Sequence, residues 1–324
     1  LWQNYSTQCE DYRDNKERTR KGAEASARVL LGYFGEGFLV EDFTKDHQRA
    51  FERARMAGGI QTKPGEFTRK TRARSAESDV SLLHAMLSWA TTVRGVDGKP
   101  LLNRNPLAGV KRVREKNKKQ PAATWERYEA TTNAMQELRA EAEAAEDDDA
   151  RIRWLRMEFA LFIAERTGRR LGSIRHLRWE DFQHDRRVVY WRADADKKGY
   201  QWEVPMPPDF FETVKRFQRA IGAAGGSVFS APDARDGIMD RHLFDKWLSV
   251  AEKKAQQPKL DGSLWHAYRR KWAIERKHLP VRDVAAAGGW KDLTTLLEVY
   301  QQADEASVLA VTSETRKLRE RGVA

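Results

Sequence analysis

Thr167-Gly168-Arg169-Arg170-Leu171-Gly172-Ser173-Ile174 separates two helix-like runs and sets two adjacent arginines at the break. Upstream, residues 151–165 carry Trp154, Leu155, Phe159, Phe162 and Ile163 at helical spacing, the pattern of one apolar helix face. A glycine after such a run ends it, because glycine enters the left-handed turn without steric cost. Downstream, residues 188–193 and 201–205 are rich in Val, Tyr and Trp around a polar turn, which predicts a short antiparallel hairpin. Helical spacing then returns over 208–223, 240–255, 264–277, 281–288 and 293–300. The half after residue 124 therefore reads as mainly α with a small β-hairpin, an α+β domain.

The other half differs in character. Residues 23–34, 42–57 and 75–93 all have helical apolar spacing, the last through Leu82, Leu83, Met86, Leu87 and Trp89. Just before that last helix stand Arg69, Lys70, Arg72 and Arg74. Cations at a helix start can grip phosphates, although a solvated basic turn has the same composition. Lys111, Arg112, Arg114, Lys116, Lys118 and Lys119 crowd a short tract before Pro121. Mutual repulsion and the proline make it an extended linker, and a solvated surface tract would look alike. The expected organisation is a helical domain over 1–110, a basic linker over 111–123 and a second domain over 124–324. Residues 124–145 read as a helix running into Glu146-Asp147-Asp148-Asp149, which DNA would repel and which reads as an outward loop.

Composition narrows the function classes. In 324 residues, 59 Lys+Arg against 48 Asp+Glu give a net charge of +11. Residues 1–120 carry +9 of it and residues 121–324 only +2. The resulting pI of 9.7 favours a polyanionic partner, since Lys and Arg gain affinity by displacing counterions from phosphates. A 40% hydrophobic share with 11 Trp supplies true cores and excludes whole-chain disorder. Mean hydropathy is −0.77, and no apolar run approaches the ~20 residues of a membrane helix. The first residues lack the basic-then-apolar order of a secretory signal. A single cysteine, Cys9, excludes an intramolecular disulfide and a multi-cysteine zinc site. These features lead to the expectation of a cytoplasmic, nucleoid-associated protein without membrane contact.

Two further segments complete a set of cations and a phenol. His266-Ala267-Tyr268-Arg269 places its first and last residues on one helix face. Gly288-Gly289-Trp290 precedes a short helix ending in Tyr300. Together with the arginine pair and the hairpin Lys197-Lys198-Gly199-Tyr200-Gln201-Trp202-Glu203-Val204-Pro205, these segments resemble the signature boxes of the tyrosine recombinase (phage integrase) family. The stretch around Arg170 resembles the first arginine box. His266 and Arg269 match the HxxR box, and Trp290 and Tyr300 match the last. Lys197 stands eight residues before Pro205, as the hairpin lysine does in that family. The first half, with its run into Asn103-Arg104-Asn105-Pro106, is similar to the family's helical core-binding domain.

The resemblance implies a two-domain site-specific DNA recombinase that needs no cofactor and no metal. It would clamp duplex DNA, with Arg69, Lys70, Arg72, Arg74, Lys111, Arg112 and Arg114 as the expected backbone contacts. Breaking a phosphodiester without a metal requires fixed positive charge around the non-bridging oxygens. Arg170 and Arg269 would supply it as planar, permanently protonated forks, with Arg169 left aside. Tyr300 would be the nucleophile, splitting one hard step into two through a 3′-phosphotyrosyl intermediate. Lys197, or Lys198 next to it, would protonate the departing 5′ oxygen. His266 would exchange a proton with the tyrosine or hold the phosphate, and the Trp290 indole would donate to it. Tyr190, Tyr200 and Tyr268 are assigned to structure.

The family further implies dimers and tetramers on DNA, accessory bending or directionality factors, and integration or excision of a phage or mobile element. Chromosome-dimer resolution, a type IB topoisomerase-like relaxation and an inactive DNA-binding member of the fold remain alternatives. Residues 306–318, with Val308, Leu309, Val311 and Leu318 on one face, would dock on a neighbouring protomer or on their own domain. Three departures stand out. Ser173 occupies the slot where the family often has an acidic residue, and Tyr268 fills the usual leucine slot. Trp290 and Tyr300 are ten residues apart, one more than is common.

Overall fold

A computed structural model describes residues 1–95, 97–114, 120–196, 199–231, 234, 237–301, 303 and 305–313. The chain divides into two units, Leu1–Lys118 and Lys119–Ala324.

The first unit contains α1 (Trp2–Gln8), α2 (Glu10–Arg13), α3 (Glu17–Phe34), a 3₁₀ turn (Val40–Asp42), α4 (Lys45–Ala57), a small hairpin of β1 (Gln61–Lys63) and β2 (Glu66–Phe67), and α5 (Ala73–Ala90). Helices α3, α4 and α5 form its body around Leu30, Phe51, Val80, Leu83 and Leu87. A buried carboxylate joins all three. Asp79 on α5 accepts from Ser26 Oγ at 2.5 Å and pairs with Arg55 Nε at 2.6 Å, so its charge is met on both oxygens. Helices α1 and α2 were not expected; they are too short for periodicity to register, and Trp2, Tyr5 and Tyr12 hold them by ring contacts.

Part of the basic tract expected as an extended linker is tied to the first unit. Gln48 Nε2 donates to the Lys111 carbonyl at 3.2 Å, the Val113 amide donates to Glu52 Oε1 at 3.1 Å, and Arg112 donates to Ser81 Oγ at 2.8 Å. Residues 111–113 are thus fastened to α4 and α5, because their backbone finds polar partners that charge counting does not reveal. At the far end, the Pro121 carbonyl accepts from Arg270 Nε at 2.9 Å, and the Ala123 amide donates to the Ala267 carbonyl at 3.0 Å. Residues 115–119 lie outside the described residues.

The second unit runs α6 (Trp125–Ala144), α7 (Asp148–Thr167), α8 (Leu171–Ile174), a 3₁₀ turn (Trp179–Asp181), β3 (Phe182–Gln183), β4 (Val188–Trp191), β5 (Trp202–Pro205), α9 (Pro208–Ile221), α10 (Arg241–Lys254), α11 (Leu264–Glu275), α12 (Val281–Gly288), α13 (Leu293–Thr295), a π-helical turn (Leu296–Tyr300) and α14 (Glu305–Ser313). Helix α7 is buried nearly all round through Trp154, Leu155, Met157, Phe159, Leu161 and Ile163, which makes it the axis of the unit. Phe159 stacks on Trp179 and Phe217 at 5.5 and 4.8 Å. The acidic tract faces outward as expected, but only Glu146 and Asp147 lie in the turn between the helices. Asp147 caps α7 by accepting from the Ala150 amide at 2.9 Å, and Asp148 and Asp149 fill the first turn, where the helix dipole favours negative charge.

The expected hairpin is the larger part of a three-stranded antiparallel sheet ordered β3-β4-β5, with Phe182 opposite Val189 and Trp191 opposite Trp202. The two-residue β3 is too short to show alternation. Alternation along β4 turns Val189 and Trp191 inward. Among the described residues, no helix is long and apolar enough to cross a membrane. The described part of the C-terminal segment is α14, whose Val308, Leu309 and Val311 are exposed; Leu318 lies outside the described residues.

A buried fork ties α6 to α10. Arg127 donates from Nε and Nη2 to Glu252 at 2.9 and 2.6 Å and from Nη1 to the Pro258 carbonyl at 2.9 Å. The Tyr268 hydroxyl donates to the same carboxylate at 3.3 Å. Tyr268 is a core residue, as assigned from sequence, and burial raises its phenol well above the ordinary range. Glu252→Ala should strand the guanidinium and destabilise the unit by about 3–5 kcal/mol. Thermal melts should show a smaller loss when Arg127→Met accompanies Glu252→Leu, because no buried charge is then left alone.

Candidate active site

Gly168 ends α7 in the left-handed conformation at φ +60, and a Cβ there would sit 2.5 Å from the Trp272 ring. Glycine is thus required both for the turn and for the close approach. The chain then runs extended, sending successive side chains in opposite directions. Arg169 turns inward and is buried. It donates from Nε to the Ala287 carbonyl at 3.0 Å and from Nη2 to the Ala286 carbonyl at 3.2 Å, the negative end of α12. Trp191 and Trp202 flank its guanidinium at 4.9 and 5.5 Å. Burial pushes it down to about 9, still cationic at neutral pH. Arg170, at the start of α8, lines an open cleft of about 130 Å³. Among the described residues its guanidinium has no hydrogen-bond or ion-pair partner, so it remains available to an anion.

Arg269 on α11 holds the segments together. Its Nη1 donates to the carbonyls of Gly168 and Gly288, the latter at 2.7 Å. Its Cζ lies 3.4 Å from the centroid of the Trp290 ring, a cation–π contact. Only 1% of the residue is exposed, and among the described residues Nε and Nη2 have no partner. Burial, then the nearby charge of Arg170, pushes this guanidinium down to about 9.

Trp290 is 2% exposed, stacks on Trp272 at 6.0 Å and meets the Tyr300 ring edge-on at 5.0 Å. Its indole N–H is buried and unpartnered among the described residues, so the core role and a free donor coexist in one side chain. Tyr300 closes the π-helical turn, 7% exposed, with its hydroxyl 3.5 Å from His266 Nδ1. The turn accommodates the extra residue between Trp290 and Tyr300, since a π turn inserts one residue without displacing the flanking ones.

Electrostatics set the protonation of this group. Burial, then the charges of Arg269, Arg270, Arg170 and Arg241, pushes the His266 imidazole down to about 4. It is therefore neutral at physiological pH. In the tautomer protonated at Nε2, its Nδ1 accepts from the Tyr300 hydroxyl. Four arginine charges thus act on a neutral imidazole that lies beside a phenol, with an unpartnered indole N–H near by. Among the described residues, no cluster of His, Cys, Asp and Glu could hold a metal ion.

Residues 129–307, more than half of the chain, match the model of the phage integrase family. The chain belongs to the phage integrase family, the site-specific tyrosine recombinases. No curated protein matches its sequence. Solved structures similar to it include XerH site-specific recombinase bound to a palindromic difH substrate, with a TM-score of 0.68 and 14% identity over 93% of this chain and 81% of that one. A lambda integrase dimer bound to a COC′ core site gives a TM-score of 0.67 and 17% identity over 93% of this chain and 76% of that one. The Tn1549 transposon integrase in complex with transposon right-end DNA gives 0.65 and 16% over 96% and 97%.

Within this recombinase, His266, Arg269, Trp290 and Tyr300 meet in one cluster, and Arg170 borders it in the cleft beside Trp290. Lys197, and Lys198 beside it, lie outside the described residues. Arg69, Lys70, Arg72 and Arg74 stand before and at the start of α5, and Lys111, Arg112 and Arg114 belong to the same unit. Three residues near the site escaped the sequence reading. Arg241 opens α10 and adds to the field on His266, with no motif to mark it. Lys291 and Tyr200, the latter assigned to structure from sequence, line the cleft with Arg170; adjacency to Trp290 was the available signal for Lys291.

The depressed imidazole has a measurable consequence. Between about 4 and about 6.5 the unfolded chain binds a proton that folded His266 refuses, so stability falls as pH drops through that window. Melting temperatures of the native chain and of His266→Gln, compared from pH 7 to pH 4, should differ in slope. The native protein should lose more on acidification.

Proposed function

We propose that the chain cuts and rejoins duplex DNA through a phosphotyrosine on Tyr300, with Arg170 and Arg269 holding the scissile phosphate. The observation that carries the reading is the Tyr300 hydroxyl 3.5 Å from the Nδ1 of an imidazole held neutral by burial and by four arginines. As Tyr300 Oη attacks phosphorus, its proton passes to His266 and the bond to the 5′ oxygen breaks. Lys197 is the proposed donor of the proton that the 5′ oxygen takes up. One phosphoester replaces another, so attack by a second strand's 5′ hydroxyl reseals DNA without ATP, the hydroxyl proton passing to Lys197 and the His266 proton returning to Tyr300. Charge gathering on the non-bridging oxygens meets dipoles and cations already in place, which is the economical way to stabilise it. Both free donors of Arg269 are covered, so the reading requires the segment around Tyr300 to shift to admit the phosphate. A π turn is a natural place for that shift, because its irregular hydrogen bonding is weaker than that of an α-helix.

The proposed assembly follows related structures. Lambda integrase forms a dimer on a core site and a tetramer on a Holliday junction, and the same association on DNA is proposed here. Integration or excision of a mobile element is the proposed role, in keeping with the transposon integrase among the similar structures. The first unit would grip the duplex through Arg69, Lys70, Arg72, Arg74, Lys111, Arg112 and Arg114. Relaxation of supercoils by a monomer, without recombinant product, would instead favour a topoisomerase.

A nicked suicide duplex tests the chemistry. The native chain should form a covalent adduct and Tyr300→Phe none. Arg170→Ala should slow adduct formation by about 10²–10³-fold while DNA affinity stays close to native; equal loss of both would assign Arg170 to structure. Arg170 is the cleaner probe, since Arg269 also ties the fold together. For the clamp, Arg72→Ala with Arg74→Ala should lower the slope of log affinity against log salt by about 0.9 for each phosphate that is no longer neutralised. An unchanged slope would remove this turn from the DNA interface.

A further inference from the structure

Lys291 follows Trp290 directly, yet the two side chains part company. Trp290 is buried, while Lys291 is exposed at the edge of the cleft that Arg170 and Trp202 also line. Its Nζ donates to the Tyr200 hydroxyl and lies 4.2 Å from the centroid of that ring. Tyr200 belongs to the segment joining β4 to β5, so this contact spans the cleft mouth from the sheet to the turn after α12. Carboxylates are close but engaged. Asp292 accepts from the Thr294 amide at 3.0 Å, from the Thr295 amide at 3.1 Å and from Thr295 Oγ1 at 2.6 Å. Asp196 lines the same cleft and accepts from the Tyr200 amide at 3.5 Å. Among the described residues, Lys291 pairs with no carboxylate.

An ammonium oriented by a phenol rather than neutralised by an acid keeps its full charge for an incoming anion. A phenol oxygen is a weaker acceptor than a phosphate oxygen, so a phosphate can take the lysine over. Resting on the reading of Tyr300, His266, Arg170 and Arg269 as the reacting centre, we propose that Lys291 is a further phosphate-binding residue of this site. It would contact the DNA backbone phosphate seated beside Arg170, and Tyr200 would be its positioning residue. The lysine brings an exposed point charge to the cleft that Arg170 also lines.

Adduct formation on the nicked suicide duplex, measured with DNA affinity and melting temperature, tests the assignment. Lys291→Ala and Lys291→Gln should each slow the adduct about 10²-fold, with affinity and melting temperature close to native. Lys291→Arg should recover most of the rate, because charge and not chain length is the requirement. Tyr200→Phe, which keeps the ring and loses the acceptor, should give a smaller decrease. Cleavage by Lys291→Ala at the native rate, equal performance of the Gln and Arg variants, or loss of affinity in proportion to rate would each overturn the proposal. The two readings fail separately. If Tyr300→Phe still forms adduct, the reacting centre has been misassigned; if it does not and Lys291→Ala matches the native chain, only the role of Lys291 falls.

Discussion

A buried guanidinium with two of its three nitrogens left free is the constraint around which the second unit is arranged. Arg269 uses Nη1 to hold the carbonyls of Gly168 and Gly288, which belong to segments more than 100 residues apart in sequence. Stranding a charge inside a protein costs several kcal/mol unless dipoles or an opposite charge meet it. Here two carbonyl dipoles and the face of Trp290 do so, and no carboxylate intervenes among the described residues. A carboxylate would meet the charge directly but would occupy the donors that the proposed phosphate contact uses. The glycines follow from the same requirement, since the carbonyls can approach only where no Cβ keeps Trp272 and Trp290 away.

Burial, reinforced by crowding of like charge, then fixes the acid–base state. Arg170, Arg241, Arg269 and Arg270 all act on His266, and each makes a second positive charge more costly. The imidazole answers by staying neutral, which leaves it able to accept a proton from the phenol beside it. On the proposed mechanism, a phosphodiester entering this field would relieve part of the repulsion and raise the affinity of His266 for a proton as Tyr300 releases one. The proposed mechanism would thereby couple substrate binding to proton transfer through the same four cations.

The residues of this centre were legible because they lie in short segments whose order and internal spacing are distinctive. Arg170 and Arg169 could be told apart by the segment they resemble, and the extended backbone after Gly168 supplies the physical reason they diverge. Other features carried no such mark. The acidic tract before α7 has the composition of a loop, but Asp147 caps the helix and Asp148 and Asp149 sit at the positive end of its dipole. Residues 111–113 read as linker because their fastening depends on Gln48 and Glu52, some 60 residues earlier in the chain. Tyr200 looked like packing because the partner that gives it a place in the cleft, Lys291, comes 91 residues later. What escaped was pairing across long sequence separations, which periodicity and composition do not encode.

The ten-residue interval from Trp290 to Tyr300 shows how far a spacing argument reaches. In a regular α-helix each added residue rotates everything after it by about 100°. One extra residue would therefore carry the Tyr300 side chain roughly a quarter-turn away from His266. Asp292 starts the short helix with its caps to Thr294 and Thr295, and the packing of Leu296 and Tyr300 against Trp290 fixes its far end. With both ends anchored, the surplus residue has to be absorbed between them, and widening one turn to π geometry does this without rotating the tyrosine. The same widening weakens the hydrogen bonding of the turn that carries the phenol. Length compensation and local softness are thus one feature, placed at the residue that must move if a phosphate is to reach Arg269.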